Sequence, residues 1–386
     1  MIIGVPKEIK DGELRVALTP VGAETLVAHG HSVLVETCAG LAAGMTDDEY
    51  RQAGASILDT MQDVYRQAEM ILKVKEILPP EYSLLREDHV LFTYIHSAIR
   101  PEETQVLLDR KVVGIAYENV TPDGRDFPLL TPMSEIAGEV GMLMGAYHLF
   151  AVQGGSGLLL SGAPGVEPAK VAILGAGHVG LGAARYALGM GADVTLLDID
   201  LARLRTVRQE VFPGVKTLYC VRANVERVLR ESDVLVNAVK WSPGLTLVSR
   251  DMLKLMKRTA LIVDIDCEPN GAVETCRFST HADPIYEVDG IRHLCVPNLP
   301  SAVARTASLS LCNATLPYTL ELAEKGWLQA VKDNAALRKG MSFAKGCLTF
   351  LPTAEAQNRP YTTPERAIEL VEGRHGTGTG ISFTSR

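Results

Sequence analysis

Three groups of residues in this chain of 386 have the types and spacing to do chemistry. In the N-terminal third, Lys75 follows the expected strand Met70 to Val74, and His96 ends the apolar run Val90 to Ile95. Each stands at the carboxyl end of an expected strand, which is where open α/β sheets bind ligands. Histidine has the ordinary pKa closest to neutrality, so His96 is a candidate acid/base. Arg15 is carried by the polar loop after a first expected strand, Ile2 to Val5. A third set, Asp264, Asp266 and Glu268, sits at the carboxyl tip of the run Ala260 to Asp264.

The second group is the stretch Lys170 to Asp198, KVAILGAGHVGLGAARYALGMGADVTLLD. Val171 to Leu174 reads as a buried parallel strand. Gly175, Gly177 and Gly180 then satisfy G-x-G-x-x-G. The first permits a sharp turn, the second lets a pyrophosphate approach the backbone, and the third lets helix and strand pack closely. From Val179 a helix is expected, whose free N–H groups and positive dipole end suit phosphate, and His178 and Val179 join the glycines as candidate cofactor contacts. Asp198 ends the second strand. A carboxylate about 20 residues past the glycine turn accepts hydrogen bonds from a ribose 2′-hydroxyl and repels a 2′-phosphate, which favours NAD over NADP. Arg203 and Arg205, close by in sequence, leave some NADP tolerance open. Ala238 and Val239, at the tip of the strand Val234 to Ala238, belong to the same expected cofactor site.

The elements that position these residues alternate strand and helix along the chain, which predicts an α/β protein of two Rossmann-like, doubly wound parallel-sheet domains. Ser134 is a plausible cap of a long helix running to Phe150, with Glu135 and Glu139 in its first turns. Helices are expected over Leu201 to Gln209 and Ala302 to Leu322, and a last strand over His293 to Val296. The helix Ala302 to Leu322 returns the chain to the first half, so one domain is discontinuous. The expected division is 1–132 with 306–372 for substrate, 133–305 for NAD, and a flexible tail over 373–386.

Composition narrows the function. A net charge of −8 gives no footprint for nucleic acid or an anionic membrane. Seven cysteines, odd in number and without a C-x-x-C pair, suggest neither a disulfide framework nor a zinc site, and fit a reducing cytoplasm. No apolar stretch is long enough to cross a bilayer, and the N-terminus has no apolar signal core.

Taken in order, MIIGVPKEIKDGELRVALTP, ILKVKEI, LFTYIHSA, TPMSEIAGE, VAILGAGHVG, VDGIRHL, NLPSAVARTAS and NATLPYTLELAEKGW resemble the alanine dehydrogenase family, itself similar in fold to the nucleotide-binding subunit of proton-translocating transhydrogenase. The resemblance spans residues 1 to 362. It implies a homohexamer catalysing reversible, NAD-linked deamination of L-alanine to pyruvate and ammonia. Carried over by motif, Arg15 and Lys75 hold the carboxylate and keto oxygen, His96 is the acid/base, and Ser134, Asp198 and Asn298 contact NAD. Those roles suit the chemistry: a 2-oxo acid needs cations, and Arg15 offers a paired-donor fork. Two departures stand out. Glu268 occupies the place of the family's aspartate, with Asp266 as the alternative, and the loop KWSPGLTL, with Lys240 and Trp241, replaces a longer one. The readings left open are a saccharopine- or opine-type enzyme reducing a larger imine, a transhydrogenase-like protein that does not deaminate, and an NAD-sensing protein.

Overall fold

The structure is a computed structural model that describes residues 1–240, 242 and 244–376; Trp241 and residues 377–386 of the expected tail lie outside the described residues. The chain forms two compact units, Met1–Pro132 with the segment from Ala304 onward, and Met133–Val303.

The sheet of the first unit begins with β1 (Ile2–Val5), β2 (Ser32–Glu36), β3 (Ser56–Leu58), β4 (Met70–Leu72), β5 (Val90–Thr93) and β6 (Val113–Ala116). All six run parallel in the spatial order 3-2-1-4-5-6. Every residue of β4, β5 and β6 is buried, which is why these runs read as continuously apolar. Strand order reverses between β1 and β4, so the loops leaving them emerge side by side. Those loops carry Arg15 and Lys75, and the one after β5 carries His96. Lys73, one residue past β4, is fully buried and paired with Glu8 at 3.1 Å and Glu81 at 2.9 Å. That pairing makes Lys73 part of the scaffold.

The second unit contains β7 (Lys170–Leu174), β8 (Asp193–Asp198), β9 (Lys216–Tyr219), β10 (Val234–Asn237), β11 (Leu261–Asp264), β12 (Ile285–Val288) and β13 (Ile291–Leu294). The order β9-β8-β7-β10-β11-β13-β12 again reverses beside the first strand, between β7 and β10. Val171, Ile173 and Leu174 of β7 are at most 1% exposed, and each contributes roughly 2 kcal/mol by burial. The helix expected to start after a Ser134 cap runs instead over Thr131–Tyr147. Pro132 explains the earlier start, because its fixed φ suits the first helical turn, and Ser134 lies inside the helix. Gly138 and Gly182 let that helix and His178–Gly189 touch backbone to backbone: a Cβ on Gly138 would stand 2.0 Å from Val179 O, and one on Gly182 2.3 Å from Glu135 O. The helix at Leu201 stops at Thr206 and continues as a π turn over Val207–Val211.

Past Val303 the chain re-enters the first unit through the helix Ala304–Lys325 and adds β14 (Met341–Ala344) and β15 (Cys347–Leu348) antiparallel beyond β6. Both sheets are therefore mixed, and mainly but not wholly parallel as expected. The added hairpins turn on Lys345-Gly346 (φ 50° and 91°) and Asp289-Gly290 (φ 50° and 79°), two-residue turns with both φ positive. The helix Pro364–Gly376 continues past Glu372, where the tail is expected to start. No helix among the described residues is long and apolar enough to cross a membrane.

Candidate active site

In the first unit, Lys75 lies close enough to feel the charge of Arg15, and His96 close enough to feel that of Lys75. Arg15 is buried, with its Nε and Nη2 donating to the Glu13 carboxylate at 2.7 and 2.6 Å. The fork that the sequence suggests for a substrate carboxylate is thus partly used by an internal pair that fixes the guanidinium plane. Lys75 has no carboxylate within ion-pair distance among the described residues. Burial, then the positive charge of Arg15, lowers its pKa to about 8, with Glu13 opposing. The neighbouring Glu76 is instead pinned by Lys10 and Arg100, each at 2.6 Å.

His96 lies beyond the end of β5 with φ 51°, a left-handed conformation that costs a non-glycine residue about 1 kcal/mol. Glu118 holds it there. Its carboxylate accepts the backbone N–H of His96 at 2.6 Å and of Ile95 at 3.2 Å, and lies 3.7 Å from His96 Nδ1. The ring stacks on Tyr94 at 5.8 Å between centroids, and Tyr94 is fixed in turn by its hydroxyl donating to Leu129 O at 2.5 Å. The imidazole keeps 42% of its surface exposed. Desolvation lowers its pKa and the charges of Lys75 and Arg100 add to that, while Glu118 and Glu76 oppose. Neutral imidazole is therefore ready as a base near neutral pH. Glu13, Tyr94 and Glu118 were not singled out from sequence. Glu13, two residues before Arg15, offered a weak signal; Glu118, some twenty residues from His96, offered none.

In the second unit, Ser134, Gly175, Gly177, His178, Val179, Asp198, Ala238 and Val239 line one cavity of about 450 Å³. That size suits part of a dinucleotide. Gly175 takes φ 95°, and a Cβ there would lie 2.8 Å from Ala238 O, so the glycine turn and the tip of β10 fit only without a side chain. Gly177, by contrast, faces open space: a Cβ on it would have nothing within 4 Å. It begins the helix His178–Gly189 with no side-chain cap, which leaves the first N–H groups for an anion. Asp198 accepts Ala176 N–H at 2.7 Å on one oxygen and Asp200 N–H at 2.8 Å on the other, so its carboxylate is held at the rim. These residues fit a dinucleotide.

Three expected cofactor residues, Gly180, Arg203 and Asn298, stand outside that lining. Gly180 packs behind the turn, where a Cβ would lie 1.9 Å from Gly175 O. Arg203 donates through Nε to Ala176 O, so it braces the glycine turn. Asn298 follows β13 with φ 58° and its carbonyl accepts Ser301 N–H at 3.0 Å. Lys240 does line the cavity, beside Leu197, Ile199, Cys220, Leu245 and Leu247. Those five were not foreseen, because apolar residues at strand ends and in the loop after β10 cannot be told from core by type. Asp266 and Glu268 share the turn after β11, with Cys267 buried between them and Glu268 exposed. Partial desolvation and the Asp266 charge raise the Glu268 pKa.

Comparison with known proteins gives this arrangement its context. Residues 4–137 match the N-terminal domain model, and residues 141–350 the C-terminal domain model, of alanine dehydrogenase/PNT. The chain belongs to the alanine dehydrogenase/PNT family. It is 48% identical to the alanine dehydrogenase of Methanococcus maripaludis over 95% of this chain and all of that one. The alanine dehydrogenase of Bacillus subtilis is 46% identical over 96% of this chain and 98% of that one. A solved L-alanine dehydrogenase matches with a TM-score of 0.88 at 43% identity, covering 93% of this chain and 99% of that one. Within the alanine dehydrogenase/PNT family frame, both domain models cover the residues described above, from Arg15 to Asn298.

Proposed function

We propose that the protein is an NAD-dependent oxidoreductase acting on a CH–NH2 group, interconverting L-alanine, or a related small amino acid, with its 2-oxo acid and ammonia. The observation that carries this reading is the gathering of Arg15, Lys75 and His96 in one unit of a chain so similar to alanine dehydrogenases. Arg15, oriented by Glu13, and Lys75 provide positive charge for a carboxylate and a keto oxygen. His96, positioned by Glu118, moves the protons that carbinolamine formation and water loss require. Asp266 and Glu268 offer carboxylates for the ammonia-derived nitrogen. NAD, when bound, supplies hydride transfer to and from Cα, and the glycine turn with Asp198 is where it would be held. The engagement of Arg203 with Ala176 O favours NAD over NADP, since it withdraws a cation from a 2′-phosphate. By the same family reading we assign a homohexamer, acting in a reducing cytoplasm without nucleic acid or membrane partners.

The test is NADH consumption by a panel of 2-oxo acids with and without ammonia. Pyruvate is expected to turn over only with ammonia; turnover that requires a larger amine in place of ammonia would favour the saccharopine- or opine-type reading instead.

Lys75 sets a pH dependence. It is cationic below about 8 and neutral above. If the cation grips the oxo acid, kcat/KM for pyruvate should fall by up to tenfold per pH unit above that point, since kcat/KM reports the free enzyme. Lys75→Arg, which keeps its charge, should flatten that limb while lowering the plateau. An unchanged limb in the arginine variant would remove Lys75 from the role.

A further inference from the structure

The cysteines are all free thiols among the described residues, yet folding gathers three of them around one carboxylate. Asp264 ends β11, Cys295 follows the adjacent strand β13, and Cys267 and Cys276 lie in the loop that leaves β11. A carboxylate oxygen of Asp264 and the Sγ atoms of Cys276 and Cys295 all lie within 4.8 Å of one another, and all three residues are buried. Cys276 also has Cys267 as a side-chain neighbour. Cys267 adopts φ 43° and its Sγ donates inward to Cys295 O at 3.0 Å. A left-handed backbone at a non-glycine residue persists where surroundings hold it, and here it turns the thiol into the cluster.

These donors sit in the apolar core of the unit, with Leu235, Val248, Ile262 and Val273 in the same cluster. Asn237 Nδ2 and the Cys267 N–H both donate to Asp264 Oδ1, at 2.8 and 3.1 Å, and hold the carboxylate plane. The Tyr286 hydroxyl lies 3.1 Å from Cys295 Sγ and accepts Arg277 N–H at 2.8 Å. Outer hydrogen bonds of this kind orient metal ligands.

We propose that Asp264, Cys267, Cys276 and Cys295 form a structural zinc site, a tetrahedral set of three thiolates and one carboxylate. Zn–S bonds of about 2.3 Å place tetrahedral sulfurs about 3.8 Å apart, so Asp264, Cys276 and Cys295, already within 4.8 Å of one another, need only small side-chain rotations, and Cys267, whose Sγ lies 3.0 Å from Cys295 O, turns in as the fourth. Zinc uptake releases the thiol protons to solvent, which makes it pH-dependent. A closed site of four protein ligands leaves no position for substrate, so its role is mechanical: it ties both ends of the segment 264–276, which carries Asp266 and Glu268, to β13. The assignment does not depend on the substrate being alanine. The three cysteines are separated by eight and eighteen residues, which is why no metal spacing shows in the sequence.

The test uses the full chain, purified under a thiol reductant without chelator. Elemental analysis should find about one zinc per chain. Chelator treatment should lower Tm, and zinc chloride alone should restore it. Cobalt(II) added to the chelator-treated protein should give a thiolate-to-cobalt charge-transfer band with the visible bands of a tetrahedral centre. Cys276→Ser and Cys295→Ser should abolish both metal content and band, whereas Cys347→Ser, in the other unit, should change neither. Should the serine variants not fold, the cobalt spectrum of the unaltered protein decides. Absence of that band, zinc retained by the folded serine variants, or a Cys276–Cys295 disulfide in freshly purified protein would each overturn the proposal.

Discussion

Replacing His96 with alanine is expected to lower kcat by about 10²- to 10⁴-fold, the range that a positioned acid/base supplies, with little change in the melting temperature. Stability should survive because the ring is 42% exposed and fills no core space. The backbone gives a sharper version. His96 holds φ 51° against its own preference, so His96→Gly should be as stable as the parent or more so, by about 1 kcal/mol, and equally inactive. The acid limb of the deamination profile, which falls below the ordinary histidine value of 6.5, should vanish in both variants. Glu118→Gln separates positioning from chemistry: it keeps an acceptor for the two backbone N–H groups but removes the opposing charge, so the limb should move to still lower pH while most of kcat remains. An alanine variant with near-normal kcat would leave the histidine without a role.

The second large effect concerns the glycine turn and comes as a contrast. Gly180→Ala puts a methyl 1.9 Å from Gly175 O, closer than any carbon can approach an oxygen. The helix must shift away from β7, and we expect a loss of several degrees in Tm together with loss of measurable NADH binding. Gly177→Ala meets nothing within 4 Å, and its φ of −70° with ψ of −175° suits alanine, so the fold should be unchanged. Its methyl instead projects where a pyrophosphate would pass. NADH affinity should drop at least about tenfold with Tm constant, the signature of a close backbone approach to the ligand. Unaltered affinity in a folded Gly177→Ala protein would place the dinucleotide elsewhere.

The legible parts of this chain were those where one local rule sufficed. From β7 through the three glycines to Asp198, each residue is constrained by its immediate neighbours, and the structure sets Gly175, Gly177, His178, Val179 and Asp198 around one cavity. Lys75 and His96 were visible because strand ends announce themselves in an apolar run. What stayed hidden depends on pairs far apart in sequence. Glu118 reaches His96 across 22 residues, and nothing local marks it. The cysteine cluster assembles only when β11 and β13 lie side by side. Strands β14 and β15, four and two residues long, carry too little pattern to read. The Asp289-Gly290 turn, however, is a strong hairpin signal between Val288 and Ile291, so β12 could have been read.

The most direct measurement is the fate of the transferred hydrogen. With NADH deuterated at C4 on the transferred face, pyruvate and ammonia, mass spectrometry and NMR of the product should find alanine carrying one deuterium at Cα, and no deuterated alanine when ammonia is omitted. Deuterium that stays in the nicotinamide pool, or that appears in lactate, would contradict the account.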